Sequence, residues 1–204
     1  MSDSPRDPAP SLDDAAAPTP IRSRATLAVV LVMLAAAVLY LRWQGRVWWC
    51  EQGDLSPIAV RVNSPHNSQH LFDPYSLSHV LHGVLFFGVL WLFRRRLSLP
   101  VRATIAAGIE IGWEVLENSP IIINRYRNAT MAQGYSGDAI LNSIADVLSF
   151  VLGFYAARKL GLWPSILMFL VVELVMLLMM RDNLTLNVLM LLWPIDAIRH
   201  WQSG

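Results

Sequence analysis

The sequence predicts an all-α integral membrane protein, a bundle of five or six transmembrane helices that follows a disordered N-terminal tail. Hydrophobic residues make up 54% of the 204 residues and charged residues only 15%, whereas a soluble domain carries about 25% charged residues. The apolar residues gather in several stretches, each close to the roughly 20 residues that a helix needs to cross a bilayer. These stretches contain carboxylates and histidines but no lysine or arginine. They therefore predict both the fold class and the candidate site.

The first 21 residues are predicted to be a disordered cytoplasmic tail, and residues 22–204 a transmembrane domain. The tail is rich in proline and aspartate and buries too little apolar surface to offset its chain entropy. Arg22 and Arg24 then precede the apolar run Ala25–Leu41. The small residues Ala35–Ala37 lie inside this run rather than after it, which favours an uncleaved first helix over a signal peptide.

Four further stretches have the length of a membrane helix. They are Leu77–Phe93, Ala103–Ile123, Ala139–Ala157 and Leu162–Met180. A last stretch, Leu184–Ile198, is shorter and contains Pro194 and Asp196. It is interpreted either as a sixth span or as a segment that only dips into the interface.

The arginines and lysines of the short loops predict the orientation, because they accumulate on the cytoplasmic side. If the spans alternate, three basic groups fall on one side: Arg22 with Arg24, Arg94–Arg96 with Arg102, and Arg158 with Lys159. The N-terminus is therefore predicted to be cytoplasmic. The loop Asn63–Tyr75 and most of the unusual polar residues then lie together at the outer face.

Six acids lie within the predicted spans, where an unpaired charge costs about 2.5–3.5 kcal/mol even on mild insertion scales. They are Glu110, Glu114, Glu117, Asp138, Asp146 and Glu173. Protons, a bound cation or arginines from the loops must neutralise them. Helical spacing puts most of these acids, with His79 and His82, on stripes that would line a polar funnel opening outward. Only Glu110 is expected nearer the inner half.

Imidazole and carboxylate groups together suit a divalent ion such as Zn²⁺, which can activate a water molecule. The predicted catalytic residues are His79, His82, Glu114, Glu117, Asp138 and Asp146, and a metal is assigned to His79, His82 and Glu114. The same residue types would equally build a proton relay. They could also serve only as hydrogen bonds that tie helices together.

A second group of residues is predicted to bind a ligand at the outer mouth. It comprises Asn67, His70, Asn118, Arg125, Arg127, Asn142 and Arg181. A guanidinium binds phosphate with two parallel hydrogen bonds, so the arginines suit a lipid phosphate. Their alternative role is to pair with Glu117, Asp138 and Asp182.

Three local assignments complete the prediction. Ser76 and Asp138 are expected to be helix N-caps. His66 and His70 are expected to be solvated loop residues, although His70 is close enough in sequence to join the site. Cys50, the single cysteine, is expected to be a partly buried thiol.

Seven motifs occur in one order along the chain. They are Asn67-Ser-Gln-His-Leu, Ser78-His-x-x-His-Gly83, Trp113-Glu-x-x-Glu-Asn-Ser119, Arg125-Tyr-Arg127, Tyr135-x-Gly-Asp138, Asn142-Ser-x-x-Asp146 and Arg181-Asp-Asn-Leu-Thr185. In these motifs the chain resembles, from Trp43 to Gln202, a family of multi-pass inner-membrane proteins of unknown function from alphaproteobacteria. The resemblance implies the bacterial inner membrane and a multi-pass topology, without an activity. The helix carrying Asp138, Asn142 and Gly153 is also faintly similar to one in VanZ-like membrane proteins, which are linked to glycopeptide tolerance.

Three functions of different classes remain open from the sequence. The leading one is a metal-assisted hydrolase or transferase that acts on a lipid or envelope-derived ligand. The second is a proton-coupled transporter that uses Glu114, Glu117, Asp146 and Glu173. The third is a structural or assembly factor with a polar core. Membrane lipids are the expected partners, and the net charge of +1 without a basic, aromatic-interleaved stripe gives no indication of nucleic acid.

Overall fold

A computed structural model describes residues 23–62, 64–130 and 134–203. Within these ranges the chain forms eight α-helices and no strand, with one isolated bridge between Ile58 and Phe72. The helices are α1 (Ser23–Trp43), α2 (Ser76–Trp91), α3 (Leu99–Glu117), α4 (Pro120–Ala129), α5 (Ile140–Leu160), α6 (Leu162–Met180), α7 (Leu184–Leu192) and α8 (Asp196–Ser203). The all-helical class is thereby confirmed for the described residues. The predicted N-terminal tail and Arg22 lie outside them.

Three of the described helices are long and apolar enough to cross a membrane by length and composition. They cover Arg24–Trp43, Ile140–Leu160 and Leu162–Met180. α2 is equally apolar but has only 16 residues, and α3 carries three glutamates and an arginine. The exposed surfaces of α1 and α6 are dominated by leucine and valine, as expected for helices that face lipid.

The third predicted stretch, Ala103–Ile123, is wrong at its outer end. α3 ends at Glu117, and Pro120 begins a separate helix, α4. Proline has no N–H to donate and keeps the preceding residue extended, and Ser119 is extended with ψ 151. The Ser119 hydroxyl accepts a hydrogen bond from the backbone N–H of Ile122 at 3.4 Å. The chain is thus redirected just beyond Glu117.

The last predicted stretch, Leu184–Ile198, does not form one helix. α7 ends at Leu192, α8 begins at Asp196, and Pro194 lies between them. The two helices have 9 and 8 residues, far fewer than the roughly 20 that a span requires. A sixth transmembrane helix over this stretch is therefore wrong.

Two glycines bring α2 and α5 into close contact. A Cβ on Gly83 would collide with the carbonyl oxygen of Phe150, and one on Gly153 with that of Val80. Small residues at such a crossing let two backbones approach directly. The contact aligns the first turns of α2 with those of α5, which brings His79 next to Asp146.

The predicted N-caps are corrected by the structure. Tyr75 is the N-cap of α2 and Ala139 that of α5, neither with a side-chain cap. Asp73 serves the start of α2 instead, because its carboxylate accepts from the backbone N–H groups of Tyr75 at 2.7 Å and Ser76 at 3.2 Å. The Ser76 hydroxyl is thereby free to donate to Asp146 at 2.9 Å.

Candidate functional site

One end of the bundle contains a cavity of about 400 Å³. Its walls come from the first turns of α2, the end of α3, the helices α4 and α7, and the loops before α2 and α5. The ionisable side chains among its lining residues are Glu51, His79, His82, Glu117, Asp138 and Asp146, with Tyr75, Tyr126 and Tyr135. Among the residues that the structure describes, no lysine or arginine belongs to this lining. The cavity therefore attracts cations.

Two histidines and a glutamate form the innermost part of the site. His79 Nδ1 lies 2.7 Å from Glu110 Oε1, and His82 Nδ1 lies 3.1 Å from Glu110 Oε2. His79 and Glu110 are buried, and His82 is half-buried at the cavity wall. The Glu110 carboxylate is thus shared by two imidazole rings, whose residues lie one turn apart on α2.

His79 also faces two further carboxylates. Its Nδ1 lies 3.4 Å from Glu114 Oε1, and its Nε2 lies 3.8 Å from Asp146 Oδ2. Both Glu114 oxygens are buried and accept no hydrogen bond from the described residues. A buried carboxylate without donors is strongly disfavoured. A proton or a bound cation must therefore compensate Glu114.

The outer part of the site is built on Asp138. Its carboxylate accepts from Asn118 Nδ2 at 2.7 Å and from the Tyr135 hydroxyl at 2.8 Å. Asn118 Oδ1 in turn accepts from the Asp138 backbone N–H at 2.7 Å. Burial raises the pKa of Asp138 above its usual 3.8, although the hydrogen bonds from Tyr135 and Asn118 lower it. Asp138 and Asn118 form a rigid wall beside Glu117.

Two overlapping groups of side chains have the geometry to hold a metal ion. In each group the nearest ligand atoms lie within 4.8 Å of one another. The first group is His79, His82 and Glu110, and the second is His79, Glu114 and Glu117. Glu110 therefore occupies the third position that the sequence analysis assigned to Glu114. Glu114 lies 3.4 Å from the same His79 nitrogen, Nδ1, and belongs to the second group.

Five of the six predicted catalytic residues line the cavity, and the sixth, Glu114, does not. His79, His82, Glu117, Asp138 and Asp146 line the cavity. Glu114 is buried beside His79, and Asn142 is buried with its side chain donating to the Leu71 carbonyl at 3.4 Å. Of the predicted ligand-binding residues, Asn67 lines the cavity and Asn118 supports Asp138.

The three predicted ligand-binding arginines are held by backbone carbonyls outside the cavity. Arg125 donates to Leu191 at 2.7 Å and to Leu192 at 3.2 Å. Arg127 donates to the Tyr135 carbonyl at 2.5 Å, and Arg181 donates to the Trp201 carbonyl at 3.1 Å. These contacts join α4, α7, α8 and the loop before α5. They leave the acids of the cavity without an arginine among the lining residues.

Two further predictions are corrected. His70 is 1% exposed, so it is not a solvated loop residue, and it lies in a separate cluster with His66 and Cys50. Glu173 lies away from the cavity, where its carboxylate accepts from the backbone N–H groups of Leu184 at 2.8 Å and Thr185 at 3.2 Å. It therefore stabilises the positive end of α7.

Comparison with known sequences assigns the chain to a family. Residues 41–204 match the family described as "Protein of unknown function (DUF2585)". The chain belongs to this family. A UPF0314 protein of Sphingopyxis alaskensis is 49% identical over 87% of this chain and 94% of its own length. Those of Agrobacterium fabrum and Paracoccus denitrificans are 45% and 44% identical over 87% and 90% of this chain and 89% and 94% of their own lengths. The predicted resemblance to a family of unknown function is confirmed, and no solved structure matches.

Sequence reasoning missed Glu110 as a member of the site in this DUF2585 chain. α2 and α3 are joined by a short connection and run in opposite directions. The depth of a residue in the bundle is therefore counted from the start of α2 and from the end of α3. His82 is the seventh residue from the start of α2, and Glu110 is the eighth from the end of α3. The equal depth of His82 and Glu110 could therefore have indicated that the two side chains meet. The predicted stretch continued to Ile123, whereas α3 ends at Glu117, so the depth counted from the predicted end was wrong.

Proposed function

We propose that the chain is a multi-pass protein of the bacterial inner membrane with a divalent-cation site in its acidic cavity. The ion, best matched by zinc, is held by His79, His82 and Glu110. It serves a hydrolase or transferase reaction on a lipid or envelope-derived ligand. The observation that carries this proposal is the convergence of the two histidines and Glu110 within 4.8 Å at a cavity lined by carboxylates.

The donor set favours zinc in a catalytic rather than a structural role. Two histidines and one glutamate form a recurrent catalytic zinc set, in which the fourth position is left to water or substrate. His82 lines the cavity and His79 lies at its inner end, so the fourth position would face the ligand. Zinc lowers the pKa of such a water to about 7, which supplies a hydroxide nucleophile.

The neighbouring carboxylates fit the remaining roles. Glu114, 3.4 Å from His79 and without a hydrogen-bond donor among the described residues, is suited to accept the proton of the attacking water. The water oxygen bonds to the acyl carbon or phosphorus of an ester, the ester bond breaks, and Glu114 passes the proton to the leaving oxygen. Asp146 lies 3.8 Å from the other nitrogen of His79 and orients the ring.

The cavity lining supports an amphiphilic ligand. Trp113, Leu184, Val188 and Leu191 line the cavity together with its polar residues, so an acyl chain and a polar headgroup would each meet suitable surface. Glu114 accepts no hydrogen bond from the described residues, which favours this proposal over a purely structural core, in which each buried carboxylate would be hydrogen-bonded. Glu173 caps α7, which removes the inner step of the proton path expected for a transporter.

The test is the metal content of the purified full-length protein, measured by mass spectrometry after loading with zinc and desalting. We expect His82→Ala and Glu110→Gln each to bind one equivalent less than the wild type. His200→Ala, which changes an exposed histidine on α8, is the control and should bind as much as the wild type. Circular dichroism checks that each variant is folded. Equal zinc content in the wild type and both folded site variants would contradict the proposal.

The catalytic part of the proposal needs a separate measurement. Membrane lipids of cells that express the wild type or Glu114→Gln are compared by mass spectrometry in a strain that lacks the native gene. We expect a lipid or envelope ester to accumulate in Glu114→Gln cells and to be depleted by the wild type. Identical lipid profiles, with zinc bound equally to both proteins, would leave a binding protein rather than an enzyme.

A further inference from the structure

Another group of metal-ligating side chains lies in the segment between α1 and α2, and it shares no residue with the two groups around His79. It consists of Cys50, His66 and His70, whose ligand atoms all lie within 4.8 Å of one another. Asp54 adds a carboxylate oxygen 3.9 Å from His66 Nδ1 and 4.0 Å from His70 Nε2. Cys50 and His70 are buried. These four side chains are called the loop cluster below.

The distances within the loop cluster are those of a tetrahedral zinc site. Zn–S bonds of about 2.3 Å and Zn–N bonds of about 2.0–2.1 Å put neighbouring ligand atoms roughly 3.3–3.6 Å apart. Cys50 Sγ lies 3.5 Å from His66 Nδ1, and His66 Nδ1 lies 3.2 Å from His70 Nε2. The exposed carboxylate of Asp54 lies about 4 Å from both histidines and is the candidate fourth ligand.

The environment of His70 orients it as a ligand. Its Nδ1 contacts the carbonyl oxygen of Ser56, and a carbonyl only accepts, so the proton is on Nδ1. The lone pair of Nε2 then points at His66 and Cys50. A backbone carbonyl that binds the second ring nitrogen is the usual support of a metal-bound histidine. The Trp49 ring packs edge-on against His70, with centroids 5.6 Å apart, and limits its rotation.

Protons alone do not satisfy the cluster. If His66 Nδ1 carries a hydrogen and donates it to His70, only the weakly accepting sulfur of Cys50 remains for the second contact of that hydrogen. If the thiol donates to His66 instead, two imidazole lone pairs face each other at 3.2 Å. A cation bound to a Cys50 thiolate and both nitrogens satisfies all three contacts at once.

We propose that Cys50, His66, His70 and Asp54 bind a structural zinc ion, a site independent of the proposed function. Four protein ligands leave no open position, which is typical of structural zinc. The same segment contributes Glu51, Gln52, Asn67, Ser68 and Gln69 to the wall of the cavity. The ion therefore holds this wall in place.

Cobalt distinguishes this site from the cavity site, because only the loop cluster contains a thiolate. Metal-free full-length protein in detergent is titrated with Co²⁺, and the near-ultraviolet thiolate-to-cobalt charge-transfer band is recorded. Cys50 is the single cysteine of the chain, so the band reports this site alone. We expect the saturated band of the wild type to have the intensity of one cobalt-bound thiolate per chain. The band should be absent in Cys50→Ser, and the affinity should fall at least tenfold in His66→Ala and His70→Ala.

His82→Ala and His200→Ala are the controls and should keep the full band, since neither residue belongs to the loop cluster. Circular dichroism of each metal-free variant verifies its helices before titration. A folded wild type without the band would overturn the proposal. A band that survives with unchanged affinity in both His66→Ala and His70→Ala would also overturn it, because cobalt would then bind the cysteine adventitiously. Neither result would affect the cavity site.

Discussion

At the scale of single residues, burial makes several carboxylates of this chain unusually dependent on their neighbours. Asp73, Asp138 and Asp182 all lie outside the long apolar helices, and burial raises the pKa of each. Each accepts hydrogen bonds that partly offset this effect of burial. Asp182 accepts from the Tyr75 hydroxyl at 3.3 Å and from Gln202 Nε2 at 3.1 Å. Such groups make stability depend on pH.

Asp182 gives a prediction with a defined sign. Burial raises its pKa from 3.8 to about 6, although hydrogen bonds from Asn183, Asn187, Tyr75 and Gln202 lower it. The folded state then holds the proton more tightly than the unfolded state, so stability falls as pH rises from about 4 to about 6 and is level above. The difference amounts to about 3 kcal/mol at most.

Asp182→Asn imitates the protonated carboxyl and should remove this dependence. We expect the thermal midpoint of the variant to match the wild type near pH 4 and to exceed it above pH 6. The measurement is thermal unfolding in detergent at a series of pH values, compared between the two proteins so that other titrating groups cancel. An identical pH profile for both would show that Asp182 does not titrate in this range.

At the scale of the helices, the α2–α5 crossing is the contact on which the site depends. It aligns His79 with Asp146. The contact is possible because Gly83 and Gly153 have no side chain, so the backbones of the two helices touch directly. Gly83→Ala places a methyl group against the Phe150 carbonyl and the Phe154 amide nitrogen. Backbone atoms cannot move aside as a flexible side chain can, so the two helices must separate.

We expect Gly83→Ala to lower the free energy of unfolding by about 1–3 kcal/mol. Gly88→Ala is the matched control, because Gly88 lies in the same helix and a Cβ there meets nothing within 4 Å. The control should be neutral or slightly stabilising, since alanine favours helix by up to about 1 kcal/mol over glycine. Thermal unfolding followed by circular dichroism measures both. Equal midpoints for the two variants would contradict the close-contact interpretation.

At the scale of the whole molecule, the cavity and the arginine-rich connection lie at opposite ends. His79 and Glu117 lie near the cavity end of α2 and α3, whereas Arg94–Arg96 connect the other ends of these helices. Basic residues in short connections favour the cytoplasmic side. The cavity is therefore predicted to open to the periplasm, as the sequence analysis expects.

Labelling of single cysteines tests this orientation. In a Cys50→Ser background, Val60→Cys puts a thiol on the exposed segment between α1 and α2, and Arg95→Cys puts one on the exposed connection between α2 and α3. We expect a membrane-impermeant maleimide to label Val60→Cys in intact spheroplasts. Arg95→Cys should be labelled only after the membrane is permeabilised. The reverse pattern would place the cavity in the cytoplasm.

The sequence by itself determined the helical class, the long apolar helices and the residue types of the site. Hydropathy over about 20 residues is a local property, so α1, α5 and α6 could be predicted within a few residues. The acids stood out because buried charge is rare in apolar helices. The seven motifs also pointed to the correct family before any comparison.

Only the tertiary structure decided which of those residues meet. The helix break at Ser119–Pro120 ends α3 earlier than the sequence predicts. For this reason the sequence did not place Glu110 at the same depth as His82. The loop cluster was hidden because Cys50 and His66 are 16 residues apart in a segment whose described residues form no helix or strand. No period therefore relates their spacing to their distance. Side-chain partners depend on the packing of distant backbone, such as Gly83 against Phe150. A single sequence shows which groups need partners, and the packing of the helices determines which partners they meet.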